Sequence, residues 1–182
     1  ARAMKVMGLR DLVLVQPRFA DVLVQEETVA MASGAADVLA RARVVGTLAE
    51  ALEGVAYACA TAMTPRDFGP PTQAPRTLLP GLAAGEASVG FVFGSERYGL
   101  ANEDVYRCHV CLSIPTAPDY GSLNLAQAVH QDGFGGDHAL AVDHGVELLI
   151  VGDWGEPERG NSLLFGALVL PVPFFQGDHG TL

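Results

Sequence analysis

The apolar positions of this chain fall into short runs of two kinds, separated by polar stretches rich in glycine and proline. Leu12–Val15, Tyr57–Thr61, Val89–Phe93 and Val110–Ile114 are nearly continuous apolar runs, the pattern of strands buried on both faces. Arg43–Val45 is a weaker candidate strand. The other kind has helical spacing. Ala1–Met7 puts Met4 and Met7 three apart, with Gly8 as a natural stop. A helix around Thr28–Ser33 is expected to stop at Gly34. Thr47-Leu48-Ala49-Glu50 is a capping box whose short helix closes at Gly54. Asn102 caps a helix running through Arg107, with Glu103 and Asp104 in its first turn. Gly121 or Ser122 opens a last helix over Leu123–Val129. Loops are expected at Arg18–Glu26 and from the end of the Tyr57 run through Pro80. Strands alternating with helices predict an α/β fold, a mainly parallel sheet flanked by helices.

Length and composition narrow this picture. A chain of 182 residues fits one domain, or one domain and a tail. Its 49% hydrophobic content supplies a core and excludes wholesale disorder. No apolar run approaches the ~18 residues of a membrane span, and no basic segment leads an apolar one at the N-terminus. The expectation is a soluble, cytoplasmic protein with no membrane partner. Cys59, Cys108 and Cys111 have no framework spacing, as in a reducing compartment. Cys108-His109-Val110-Cys111 is the only hint of zinc. One such pair leaves the four-ligand requirement unmet, so buried thiols are preferred and no metal is expected.

Candidate chemistry concentrates between Phe91 and Val129. Gly94 and Gly99 bracket a polar loop, Ser95-Glu96-Arg97-Tyr98, after one strand. A second loop, marked by Pro115, follows the next. Ligands of open α/β sheets sit at the carboxyl ends of strands, so two such loops suit a small-molecule site. Phosphate-loop chemistry does not fit, because Leu100 stands where the spacing from Gly94 requires lysine. Neither the dinucleotide glycine pattern nor a serine-hydrolase elbow is present. On periodicity alone, two ordinary strand-to-helix turns remain an equal reading.

FGSERYGL followed by SIPTAPDYGSLNLAQAV resembles the second and third motifs of the SpoU/TrmH family of RNA ribose 2′-O-methyltransferases, within the SPOUT superfamily. The TrmJ-type branch is the nearest likeness, with motifs similar to FGxERxGLxNEE and SSLNLAxAV. The opening ARAMKVMGL resembles the tail of the family's first motif, and the likeness covers Ala1 to Val129. The resemblance implies S-adenosylmethionine as cofactor, RNA as substrate (tRNA first, ribosomal RNA second), a homodimer, and a trefoil knot at the C-terminal cofactor loops. It also implies cofactor contacts at Thr61, Ala62, Met63, Gly94, Gly99, Ile114, Gly121, Ser122 and Leu123. Without it, Thr61–Met63 would read as a strand end with a satisfied hydroxyl. Arg2, Glu96 and Asn124 are the implied catalytic set. Arg2 falls on the arginine associated with activating the ribose 2′-hydroxyl. A guanidinium scarcely deprotonates, so the role expected of it is activating the hydroxyl or stabilising the 2′-oxyanion.

Two features depart from the family pattern. The strand and glycine–asparagine turn that precede the first-motif helix would lie upstream of Ala1, so the chain reads as a fragment with little or no activity of its own. After Val129 the composition changes: residues 130–182 carry eight acidic residues and one basic, against thirteen and ten in residues 1–129. The expected division is a methyltransferase domain over 1–129 and an acidic, glycine-rich tail over 130–182. Gly133, Gly135 and Gly136 should break the last helix early. Within the tail Val146–Val151 is strand-like, and His138, Asp143 and His144 are scattered potential ligands. A net charge of −10 with a single lysine opposes RNA binding in bulk. Arg2, Lys5, Arg66, Arg97 and Arg107 all lie in motifs able to surround one cleft. A non-catalytic adenosine-ligand or RNA-binding module is the alternative reading.

Overall fold

The structure is a computed structural model and describes residues 1–62, 66–85, 87–95, 98–116, 125–133 and 146–151. Met63, Glu96, Arg97, Gly121, Ser122, Leu123 and Asn124 lie outside the described residues, as do His138, Asp143 and His144.

Seven strands form one parallel sheet: β1 (Leu12–Val15), β2 (Arg43–Val45), β3 (Tyr57–Thr61), β4 (Thr72–Gln73), β5 (Val89–Phe93), β6 (Val110–Leu112) and β7 (Val146–Val151). Their order across the sheet is β2-β1-β7-β5-β3-β6-β4. β1, β5 and β6 are buried at every position, as strands covered on both faces must be. The core is their side chains together with Met4, Met7, Leu9, Val38, Leu48 and Leu79 from the covering segments.

Seven α-helices appear among the described residues: α1 (Arg2–Val6), α2 (Glu26–Ala32), α3 (Ala36–Arg41), α4 (Leu48–Ala51), α5 (Pro75–Ala83), α6 (Asn102–Val105) and α7 (Leu125–Gly133). α1 behaves as its spacing predicts: Met4 and Met7 are buried while Arg2, Lys5 and Val6 face outward. α4 shows the expected cap, Glu50 donating its N–H to Thr47 Oγ1 at 3.1 Å. Its reciprocal arm differs: the Glu50 carboxylate accepts from the Gly46 N–H rather than that of Thr47.

Three local expectations are corrected. Gly34 does not stop the chain's coiling, because it sits inside a 3-10 turn, Ser33–Ala35, that leads directly into α3. The helical signal there is carried by Val38 alone among buried positions of α3, too little for periodicity to register. The proline-rich segment before Pro80 is not all loop, since it holds β4 and then α5. Pro75 occupies the first turn of α5, where its missing N–H costs nothing, and the buried Leu79 anchors the helix across the internal Pro80. Asn102 is the first residue of α6 rather than its cap; Ala101 takes that position without a side-chain hydrogen bond.

The most consequential feature is β7. It pairs in parallel with β1 on one side, Leu12 with Leu148 through Val15 with Val151, and with β5 on the other, Gly90 with Glu147 through Phe93 with Ile150. A strand from beyond residue 129 thus lies inside the sheet formed by the segment before it.

Candidate functional site

β5, β3 and β6 are neighbours and run the same way, so their carboxyl ends open on one edge of the sheet. The register brings Ala60 level with Val92 and with Cys111, and Thr61 with Leu112. The loops after Thr61, Phe93 and Leu112 therefore leave the sheet side by side. These are the three segments singled out as cofactor loops, and parallel pairing alone brings them together from across 50 residues of sequence.

The loops are held from within. Thr61 Oγ1 donates to the Val92 carbonyl at 2.9 Å, tying β3 to β5. That hydroxyl hydrogen is spent, so Thr61 offers a ligand its backbone and methyl rather than a hydrogen-bond donor. The Ala62 N–H is likewise bonded, to the Leu112 carbonyl at 3.1 Å, and the Ser113 N–H to the Gln73 carbonyl at 3.0 Å. Ala62, Gly94 and Ile114 are half-buried at this edge, and Leu100 and Leu112 in the same segments are buried. Small and apolar residues gathered at one strand-end edge are the kind of lining an adenosine ligand takes. The arrangement fits the adenosine part of S-adenosylmethionine.

The glycine-bounded loop has its own architecture. The Gly99 N–H donates to the Ser95 carbonyl at 2.8 Å and the Tyr98 N–H to Ser95 Oγ at 3.1 Å, with Ser95 and Gly99 in an antiparallel bridge. A Cβ built on Gly94 would stand 1.9 Å from the carbonyl carbon of Gly99 and 2.2 Å from the nitrogen of Leu100. Gly94 is therefore required by the loop's own backbone. Ser95, one of only two buried polar residues among those described, organises the turn. Its signal in the sequence is a serine opening a glycine-bounded loop, where a hydroxyl can accept from a backbone N–H of the turn.

The first and third motifs also meet: α1 packs against α7, whose Leu125 and Val129 are buried, and α5 touches α7 as well. Arg2 is exposed at the start of α1. Lys5 is held in an exposed ion pair. Its ammonium donates to the Asp37 carboxylate at 2.7 Å and to the Gly34 carbonyl at 2.8 Å, and this hydrogen bond is the main cause holding the Asp37 pKa below its ordinary value. Arg66 donates from Nε to Asn102 Oδ1 at 2.8 Å, joining the loop after β3 to α6.

The Cys108–Cys111 segment is structural. Burial pushes the Cys108 thiol up to about 12, with smaller contributions from Asp104 and Cys111, and its Sγ donates to the Asp104 carbonyl. Cys111 is raised by burial too. His109 between them acts as an extra ladder rung. Its N–H donates to the Ala58 carbonyl at 2.8 Å, its Nδ1 accepts from the Ala58 N–H at 2.9 Å, and its ring stacks on Tyr57. Accepting at Nδ1 requires the tautomer with hydrogen on Nε2. Among the described residues no group of three or more His, Cys, Asp or Glu is placed to hold a metal, and no helix is long and apolar enough to cross a membrane.

A parallel sheet with three loops at one carboxyl edge, the last feeding a helix that packs on the first, defines an open-sheet α/β ligand-binding domain. Residues 1–130 match the model of the SpoU rRNA Methylase family, and the chain belongs to that family. It is 45% identical over 133 residues to the tRNA (cytidine/uridine-2′-O-)-methyltransferase TrmJ of Photorhabdus laumondii, covering 71% of this chain and 53% of that protein. It is 47% identical over 133 residues to the tRNA (cytidine/uridine/adenosine-2′-O-)-methyltransferase TrmJ of Pseudomonas aeruginosa, covering 71% and 50%. The crystal structure of TrmJ from Z. mobilis is similar with a TM-score of 0.67 at 39% identity, over 74% of this chain and 59% of that one. A probable methyltransferase from Bordetella pertussis is similar with a TM-score of 0.63 at 45% identity, over 78% and 82%. The chain spans about half the length of the curated relatives it matches.

Proposed function

We propose that this protein is an S-adenosylmethionine-dependent ribose 2′-O-methyltransferase acting on tRNA, with ribosomal RNA as the second candidate, in the cytoplasm and as a homodimer. The observation that carries the reading is the gathering of the loops after Thr61, Phe93 and Leu112 at one edge, with α1 packed on α7. The motif-bearing segments, far apart in sequence, converge as one site requires. A knotted path through the cofactor loops belongs to the same reading.

When bound, S-adenosylmethionine supplies an electrophilic methyl on a sulfonium. The chain's residues do the remaining work, which is positioning and electrostatics. Ala62, Gly94 and Ile114 provide the rim for the adenosine; Thr61 locks the β3 loop to β5 so that the rim is rigid. Met63, Gly99, Gly121, Ser122 and Leu123 complete the proposed cofactor set. Arg2 activates the ribose 2′-hydroxyl or stabilises negative charge developing on its oxygen, with Glu96 and Asn124 as the other proposed catalytic residues.

Calorimetry with S-adenosylmethionine, its demethylated product, ATP and NAD is the first test, and only the first two are expected to bind. Transfer of a tritiated methyl to tRNA, read as 2′-O-methylation by mass spectrometry, is the second. Arg2→Ala should abolish transfer while leaving cofactor affinity within about twofold. Selective binding of ATP or NAD overturns the reading. Cofactor binding without transfer favours the non-catalytic adenosine-ligand module, which the net charge of −10 makes the relevant rival.

A further inference from the structure

Phe68 is the one large apolar side chain among the described residues that is wholly in solvent, at 105% relative exposure. It is also one of three described non-glycine residues with positive φ, at +58°. A bulky aromatic residue in the left-handed region is strained, and glycine or asparagine would hold the same turn at less cost. Exposure and strain together would be unremarkable in a loose loop, but this loop is fastened on several sides. Arg66 Nε bonds Asn102, the Gly69 N–H donates to the Arg66 carbonyl at 3.1 Å, and Tyr106 Oη donates to the Asp67 carbonyl at 3.1 Å. Gly69 lies so close to Arg66 and the Tyr106 ring that an added Cβ would stand 2.9 Å and 3.3 Å from them. Beyond it, the Pro71 carbonyl accepts the Cys111 N–H at 2.9 Å and β4 joins the sheet edge. The chain is pinned before and after Phe68, and its fastening presents the ring to water.

The location gives that ring a use. Phe68 is on the connection leaving the carboxyl end of β3, the edge at which the cofactor loops open. Arg66 stands two residues before it, and exposed Arg107 follows the half-exposed Tyr106 that braces the loop. Asp67 and Glu103 are also nearby in the chain and exposed, so the surface is mixed in charge and does not attract polyanions by field alone. An exposed aromatic ring carried on a fastened backbone, two residues from an arginine, is what an unstacked nucleobase recognises, because every base has a π-face. We infer that Phe68 is a stacking platform for an unpaired base of the RNA substrate, positioned by Arg66, Gly69 and Tyr106. The inference rests on the proposed RNA reading and adds to it a residue, Phe68, that engages the RNA away from the proposed cofactor contacts.

The test is equilibrium binding of total tRNA to the full chain and to Phe68→Ala, Phe68→Leu, Phe68→Trp and Phe68→Gly, with calorimetry for S-adenosylmethionine and sedimentation for oligomeric state. Phe68→Ala and Phe68→Leu should weaken tRNA binding about tenfold, and Phe68→Trp should retain it, since stacking needs a π-face and not only bulk. Phe68→Gly should weaken binding as much as Phe68→Ala while raising the thermal unfolding midpoint, because it relieves the strained φ. Cofactor affinity and sedimentation should not change in any variant. Wild-type affinity in Phe68→Ala, or equal affinity in Phe68→Leu, overturns the platform and leaves the RNA reading standing. A changed oligomeric state with unchanged tRNA affinity assigns Phe68 to a contact between copies and also overturns it. If the wild-type chain binds cofactor but no tRNA, the RNA reading falls and the platform falls with it.

Discussion

Gly94 and Gly99 sit five residues apart and exclude side chains for opposite reasons. At Gly94 the obstacle is space, because backbone atoms of Gly99 and Leu100 occupy the volume a Cβ needs. At Gly99 the surroundings are open but φ is +69°, where an L-residue is strained. Gly94→Ala must force the loop apart and is expected to cost about 1–3 kcal/mol, the range for overpacking. Gly99→Ala should cost about 1 kcal/mol, from backbone strain alone. Urea unfolding of the two variants gives the comparison. Equal losses would mean that the loop relaxes freely around Gly94 and that the close backbone packing does not persist in solution. Cofactor affinity should fall more in Gly94→Ala, since that change displaces the loop and the other only strains it.

At the scale of elements, the sheet depends on β7. Without it β1 and β2 would have no hydrogen-bonded contact with β5, β3, β6 and β4, and the two groups would each expose an edge. A strand paired on both sides is protected from exchange to the level of global unfolding. Amides of residues 147–150 should therefore exchange as slowly as those of Val92 and Phe93, measured by hydrogen–deuterium exchange with mass spectrometry. Exchange within seconds would separate β7 from the sheet and return residues 130–182 to the status of an independent tail. The strand-like pattern of Val146–Val151 was visible in the sequence. Its position was not, because an apolar run carries no label for its neighbours and the acidic, glycine-rich surroundings pointed away from a core. α3 and α5 were missed for a related reason. Each buries so few apolar positions that the helical period is faint, and prolines masked α5 although one of them sits where a helix tolerates it.

For the whole molecule, a net charge of −10 sets how RNA can be held. Arg2, Lys5, Arg66 and Arg107 are the described cations of the proposed contact set, with Lys5 paired to Asp37 and Arg66 bonded to Asn102. Four phosphate contacts on a single strand predict a slope of about −3 in a plot of log affinity against log salt. Affinity carried instead by stacking on Phe68 is insensitive to salt. A slope steeper than about −5 would require a basic surface that these residues do not form.

The order of apolar runs, the spacing of the three motifs and the family they mark were determined by the sequence alone, because burial on both faces and glycine-bounded turns leave their imprint on consecutive residues. The side-by-side placement of the three loops was decided by the strand order β5-β3-β6, which the tertiary structure sets. Tertiary structure alone decided that Asn102 receives Arg66 rather than capping its helix, that His109 serves as a ladder rung, and that Gly94 answers to Gly99. It alone also placed β7 between β1 and β5. Each of these joins groups whose partner is chosen by the assembled sheet, and local periodicity encodes which face of a segment is buried but not what it is buried against.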